Sequence, residues 1–342
     1  MRTLRFHEYG EPADVLRLES APIPTPAANR VRVAVHACGL NPADWALCRG
    51  LFPKDLPRGV GLDVSGTVDA VGEGVTGVAV GDRVAGSADF AGYPSAGASD
   101  FAILERWARV PASLDLVRAA ALPMAIETAY RHLTLLHVKA GQTIVVNGGG
   151  TVIGFAAVQM ALLRGARVIA TAGETYAERL RAMGASVTSY GEGMAERIRK
   201  LAGGPVDLAL DTAPHAADPE FLRKLMSGSL ASSRDAGPVE GALPALIEAV
   251  GGDARRVVTL SDGKSAVKLG VRTGFDLVRE AAQNPPPRHD ALGEFIERAA
   301  AGTFTVPVAR TFALEEWRAA LDLSLGQRAH GKLVLLPGAT AA

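Results

Sequence analysis

The sequence predicts an α/β fold in two domains, a doubly wound parallel sheet and a compact, mostly antiparallel β-domain, on three observations. Thr143-Ile144-Val145-Val146 is an unbroken β-branched run of the kind that is buried on both faces of a parallel sheet. It runs into Asn147-Gly148-Gly149-Gly150, then into a helical pattern from about Thr151 to Arg164-Gly165, and a second strand follows at Arg167–Thr171. Residues 1 to about 115 have another texture, with short alternating strands separated by glycines.

In the N-terminal part Val31, Val33, Val35 and Ala37 alternate with Arg32, Ala34, His36 and Cys38, which is the period of a half-buried strand. Glycines at 59, 61, 66, 72, 74, 77, 81 and 86 punctuate the strands after it. Ala119–Leu136 reads as a helix, placing a domain boundary near 118, with 119–289 as the parallel-sheet domain and about 290–342 returning to the first. The strand, glycine turn, helix, strand order at 142–173 is the first half of a dinucleotide-binding fold; a tight turn without a ligand is the plainer reading of the glycines. Gly148, Gly150 and Gly154 space as G-x-G-x-x-x-G, one residue longer than the usual fingerprint. The predicted phosphate loop and first helical turn comprise Asn147, Gly148, Gly149, Gly150, Thr151, Val152 and Ile153. An acid about 20 residues on would favour NAD; the second strand ends instead in Thr171-Ala172-Gly173, which leaves room for the 2′-phosphate of NADP, with Glu174 next in line against it.

A further buried strand, Val206–Asp211, leads to Thr212-Ala213-Pro214, and the strand of Arg255–Leu260 leads to Ser261. Ligands bind beyond the carboxyl ends of such strands, so Thr212-Ala213-Pro214 and Thr259-Leu260-Ser261 are expected beside the nicotinamide, with Thr212 and Ser261 as the candidate contacts. Between them 215–238 reads as an insertion: a short helix from Asp218-Pro219, then a loop. It serves as a lid, an oligomer contact or a surface excursion. Asn284-Pro285-Pro286-Pro287 is a stiff linker, Phe304–Phe312 a strand-like run, and Lys332–Leu336 the last strand.

The 36 basic and 36 acidic residues balance, which points away from nucleic acid and acidic membranes, and no apolar run is long enough to span a bilayer. Two cysteines, Cys38 and Cys48, and an N-terminus without an apolar signal core lead to the expectation of a cytoplasmic protein.

Four segments together resemble the medium-chain dehydrogenase/reductase superfamily over nearly the whole chain: CGLNPADW at 38–45, GLDVSGTVDAVGEGVTGVAVGDRVAG at 61–86, LPMAIETAY at 122–130 and HGKLVLLP at 330–337. Within it the sequence is most similar to the zinc-independent quinone oxidoreductase and enoyl reductase branch. The resemblance implies a GroES-like catalytic β-domain on a Rossmann domain, an active site in the cleft between them, and a homodimer. Where zinc-dependent relatives place Cys, His and a third ligand, this chain has Asn41, Leu62 and Met124, and a leucine cannot bind zinc. The four-Cys lobe is missing and the seven histidines show no ligand spacing, so no metal is expected. Without a metal the reaction left is hydride transfer from nicotinamide to a polarised acceptor, an enone, enoyl group or quinone.

The resemblance also assigns residues. It places Asn41 and Asp44 near the nicotinamide, against the alternative that both cap the turn after the strand. Trp45 walls the substrate cleft or packs between domains. Ala46 stands where several relatives carry a Tyr or Lys, leaving Tyr93 as a speculative proton donor or a plain loop tyrosine. Thr128 matches a threonine on the nicotinamide side, and Tyr190 is implied to pack on the adenosine phosphate. Thr151 replaces the middle loop glycine and brings a hydroxyl to phosphate. Lys332 reaches the cofactor cleft or is solvated beside the last strand. The competing function is a non-redox or non-catalytic pathway protein, a binding module or cyclase-like helper, that keeps the fold.

Overall fold

The computed structural model describes residues 1–214, 241–283 and 290–338; the insertion expected at 215–238 and the linker at 284–287 lie outside the described residues. The chain divides into two compact units, Met1–Glu127 with Asp290–Ala342, and Thr128–His289.

In the first unit, β1 (Arg2–Phe6) lies between β2 (Arg17–Ser20) and β4 (Arg58–Gly59) in a small antiparallel sheet. The larger sheet contains β3 (Val31–Leu40), β5 (Asp63–Val71), β6 (Arg83–Ala88), β7 (Phe101–Arg109), β14 (Val308–Ala313) and β15 (Lys332–Leu336), in the order β14-β15-β3-β5-β6-β7. Only β14 and β15 pair in parallel, and β3 hydrogen-bonds β7 as well as β5, closing four strands on themselves. The alternation of β3 buries Val31, Val33 and Val35. The strand then runs past the predicted Ala37 to Leu40, and Ala37, Cys38 and Leu40 are buried too. That last stretch carries β15 on one side and the start of β5 on the other, which delivers Lys332 and Asp63 to one place.

The single helix expected at 119–136 is two. Asp115 caps Leu116–Ala119 by accepting from the amides of Val117 and Arg118, and Pro123, which has no N–H to donate, opens a new helix, Pro123–Leu135.

The second unit is built on a six-stranded parallel sheet: β8 (Thr143–Asn147), β9 (Arg167–Thr171), β10 (Ser186–Thr188), β11 (Leu208–Asp211), β12 (Val257–Thr259) and β13 (Arg272–Thr273), ordered β10-β9-β8-β11-β12-β13. The strand order reverses beside β8, so the ligand-binding crevice of such a sheet falls at the carboxyl end of β8. All five residues of β8 are buried, as a strand covered on both faces must be. The helix Val152–Leu163 is buried nearly all round and stops at Gly165, whose φ of +79° is the left-handed conformation a helix end favours.

Candidate active site

At the carboxyl ends of four adjacent strands of the second unit the side chains form one hydrogen-bonded chain. Thr171, ending β9, donates its hydroxyl to Asn147 Oδ1 at 2.5 Å; Asn147, ending β8, donates Nδ2 to Asp211 Oδ1 at 2.8 Å; Thr259, ending β12, donates to Asp211 Oδ2 at 2.8 Å. All four side chains are buried, and burial holds the Asp211 carboxyl above its ordinary range.

This chain backs the glycine turn. Gly148 takes φ +77°, and a Cβ there would stand 2.7 Å from the Ala213 amide nitrogen, so only glycine fits. Its N–H is held by Thr171 Oγ1 at 3.0 Å and that of Gly149 by the Thr171 carbonyl at 2.8 Å. Thr212 donates to the Asn147 and Gly148 carbonyls at 2.8 and 3.1 Å. Gly154 seats the helix: a Cβ on it would lie 2.1 Å from the Gly148 carbonyl oxygen. The Thr151 hydroxyl accepts from Gly154 N at 3.0 Å and lies 3.0 Å from Thr212 Oγ1. It is therefore the N-cap of the helix, which explains the extra residue in the glycine spacing. The amides of Gly150, Val152 and Ile153 make no hydrogen bond among the described residues, leaving three N–H donors at the helix start.

A second network lies in the first unit. Lys332 is 2 % exposed, and its Nζ donates to Asn41 Oδ1 and to Asp63 Oδ2, each at 2.5 Å. Asn41 Nδ2 donates to Asp63 Oδ2 at 3.1 Å, and Met124 N donates to Asp63 Oδ1 at 2.8 Å. Asp44 is fully enclosed and accepts from Asn41 N, Gly61 N and Leu62 N at 2.7, 2.6 and 3.0 Å. Burial nevertheless pushes the Asp44 carboxyl up to about 6. At the start of the helix Pro42–Cys48 the Asp44 carboxylate reaches back to the Asn41 amide, so the capping alternative is realised for Asp44, whereas the Asn41 side chain makes no cap hydrogen bond and serves Lys332 and Asp63.

Residues 27–112 match the profile of the Alcohol dehydrogenase GroES-like domain, and residues 152–227 that of the Zinc-binding dehydrogenase family. The quinone oxidoreductase of Pongo abelii is 36% identical over 179 residues, 51% of this chain and 53% of that protein. The chain thus spans about half the length of the curated relatives it matches. An alcohol dehydrogenase superfamily protein from Novosphingobium aromaticivorans superposes over 98% of this chain and 99% of its own with a TM-score of 0.75 at 27% identity. The quinone oxidoreductase of Coxiella burnetii covers the same shares with a TM-score of 0.69 at 25% identity. Both matched profiles and both solved structures are of the medium-chain dehydrogenase/reductase type, and that is what this chain is similar to.

Among these dehydrogenases and reductases the first-unit network has a particular meaning. The three positions that the sequence resemblance sets against zinc ligands converge here on two carboxylates, through the Asn41 side chain and the Met124 amide to Asp63 and the Leu62 amide to Asp44. Among the described residues no cluster of three or more His, Cys, Asp or Glu is arranged to hold a metal ion. Cys38 and Cys48 lie beside this network, and burial raises Cys38 well above its ordinary value and Cys48 to about 12, so both remain thiols.

The other predicted site residues fall in several places. Trp45 lies in the first unit's own hydrophobic core and donates Nε1 to Ser324 Oγ at 2.8 Å. The Tyr93 hydroxyl accepts from Ala27 N at 2.8 Å and donates to the Thr25 carbonyl at 3.2 Å, so both its polar functions serve a loop. The Thr128 carbonyl meets His132 Nδ1 at 2.7 Å. Ser261 ties the two strand-end loops of the second unit together by donating to the Ala213 carbonyl at 2.5 Å. Tyr190 is 67% exposed, with its hydroxyl 3.9 Å from where a Cβ on Gly173 would stand. Lys332 is corrected from a solvated lysine to a buried partner of Asp63. Thr259 falls in the segment expected beside the nicotinamide; Asp63 and Asp211, which carry the two networks with it, are not among the expected site residues, and the one signal for Asp211 is its place at the carboxyl end of a buried strand.

Proposed function

We propose that the protein is a zinc-independent, NADP-dependent oxidoreductase that reduces the activated C=C bond of an enone or enoyl compound, or a quinone, by hydride transfer. The observation that carries this reading is the glycine turn on its strand-end network, with the Gly150, Val152 and Ile153 amides unbonded among the described residues at a helix start. Those donors and the glycine-only cradle fit a dinucleotide pyrophosphate. When bound, the reduced nicotinamide supplies the hydride. The names of the relatives, quinone oxidoreductases, support the same class of acceptor.

The chain's own part is to bind and orient. Asn147, Asp211, Thr171 and Thr259 fix the strand ends, and through them the phosphate loop; Thr212 and Ser261 shape the loops next to it. For the nucleotide choice, β9 ends without an acid. Arg197, in the helix Met194–Ala202, reaches the end of the neighbouring β10, where its Nε donates to Thr188 Oγ1 at 3.1 Å and Nη2 to the Ser189 carbonyl at 3.1 Å. That guanidinium favours the extra phosphate of NADP, and Glu174 opposes it. Asn41, Asp44 and Lys332 act as positioning residues, since Asp44 has no face open to a substrate. The α-carbon proton then comes from water or from the substrate's surroundings. The protein acts as a cytoplasmic homodimer.

The test is NADPH oxidation, followed by the loss of the reduced nicotinamide's absorbance, against small enones, enoyl thioesters and quinones, with NADH in parallel. Turnover with NADPH supports the proposal. Tight nucleotide binding without turnover on any acceptor favours the non-redox pathway role, for which Ala46 at the usual donor position speaks.

A further inference from the structure

We propose that the first unit binds an organic carboxylate on the side-on edge of Arg58. Arg58 lies in β4 opposite Phe6 of β1 and is 2 % exposed, among the most deeply enclosed side chains of the molecule. Its Nη1 donates to the Phe52 carbonyl at 2.7 Å, and the guanidinium faces the Phe90 ring at 5.8 Å. Nε and Nη2 are buried without any hydrogen-bond partner, and no carboxylate among the described residues pairs with the group. The acid next to Phe90 in the chain, Asp89, is already taken, by Arg30 Nε at 2.7 Å and Gly92 N at 2.8 Å.

Nε and Nη2 are not an arbitrary pair. Their N–H bonds run parallel along one edge of the planar fork, the spacing that matches the two oxygens of a carboxylate. Elsewhere in this chain the same edge does that job: Arg49 holds Glu11 with Nε to Oε1 at 2.9 Å and Nη2 to Oε2 at 2.7 Å, and Arg255 holds Asp253 at 2.9 and 3.1 Å. Those two pairs are at the surface, where water would serve the arginine equally well. Arg58 is the enclosed one, and a buried cation with two orphan donors is the arrangement proteins avoid unless a ligand completes it. The Phe90 ring beside the guanidinium suits an acid with an apolar body.

The experiment uses the full chain. Calorimetric titration with benzoate, its neutral isostere benzamide, and inorganic phosphate is run on wild type, Arg58→Met and Arg58→Lys, followed by a crystal soaked in 4-bromobenzoate. Benzoate binds wild type at least tenfold more tightly than it binds Arg58→Met, Arg58→Lys falls between because a point charge lacks the fork, benzamide does not bind, and the bromine signal places the carboxylate against Nε and Nη2. Should Arg58→Met fail to fold, the wild-type soak and Arg58→Lys carry the test. Equal benzoate affinity in all variants, phosphate alone bound at the edge, or a structure in which ordered water satisfies both nitrogens while bromobenzoate lies elsewhere would overturn the proposal. None of these outcomes depends on nucleotide or turnover.

Discussion

The two buried networks differ in what they leave over. In the first unit Lys332, Asp63, Asn41 and Asp44 answer one another, with an internal ammonium and carboxylate at the centre and every Asp44 oxygen engaged by backbone amides. In the second, Thr171, Asn147, Asp211 and Thr259 carry no buried cation and pass their order outward, to a loop and helix start where the Gly150, Val152 and Ile153 amides have no partner among the described residues. One is closed and serves the fold; the other leaves donors open at a helix start, where the proposed nucleotide would complete it. The contrast follows from physics: a buried ion pair must be fully satisfied or it destabilises, whereas hydroxyls and an amide can brace a loop at low cost.

The largest effect expected from breaking this contrast is at the ion pair. Lys332→Met strands the Asp63 carboxylate, and urea denaturation should show a loss of about 3–5 kcal/mol. Adding Asp63→Asn should recover a substantial part of it, because the stranded charge is gone. If the double variant is no more stable than the single, the pair is not what closes the first network.

Asp44 gives the next largest effect, and its sign is opposite to that of a surface acid. Its folded value of about 6 lies above the ordinary 3.8, so between those values the folded chain holds more protons than the unfolded one. Stability from this group is therefore present below pH 4 and lost as pH rises to 6, a change of about 3 kcal/mol. Asp44→Asn lacks that proton, so the stability advantage of wild type over the variant should shrink across the same window. A constant difference would contradict the enclosed-acid reading.

Gly154→Ala sharpens the other side. Its Cβ would press on the Gly148 carbonyl oxygen at 2.1 Å and on Thr212 Oγ1 at 2.6 Å, displacing the helix start from the loop. Thermal unfolding should report a loss of about 1–3 kcal/mol. NADPH affinity should fall at least tenfold, whereas Lys332→Met, where it folds, should leave nucleotide affinity nearly unchanged. Smallest is Thr151→Ala, which removes the N-cap and should cost about 1 kcal/mol of stability with a modest loss of affinity.

Much of this architecture was legible because it is local. The β8, turn, helix and β9 unit announces itself in 32 consecutive residues, Gln142–Gly173, and the final strand Lys332–Leu336 falls where its apolar run places it. The networks were less legible because their partners are remote. Nothing around Lys332 signals burial, since Asp63 is 269 residues away and is brought to it by the pairing of β3 with both β15 and β5. Asn41 and Asp44 could be read as caps from Asn-Pro and the spacing, but their enclosure could not. Thr151 looked like a substituted glycine, yet its role is set by the helix beginning one residue later. Arg58 stands between Pro57 and Gly59, and nothing in that local sequence signals an enclosed cation.

The most direct test of the central claim is a fluorescence titration of the purified full chain with NADPH and with NADH, repeated on Gly154→Ala. Saturable binding of NADPH, tighter than NADH and weakened at least tenfold by the alanine, is what the strand-end cradle predicts. Failure of the wild-type chain to take up either nucleotide at millimolar concentration, or binding untouched by Gly154→Ala, would contradict it.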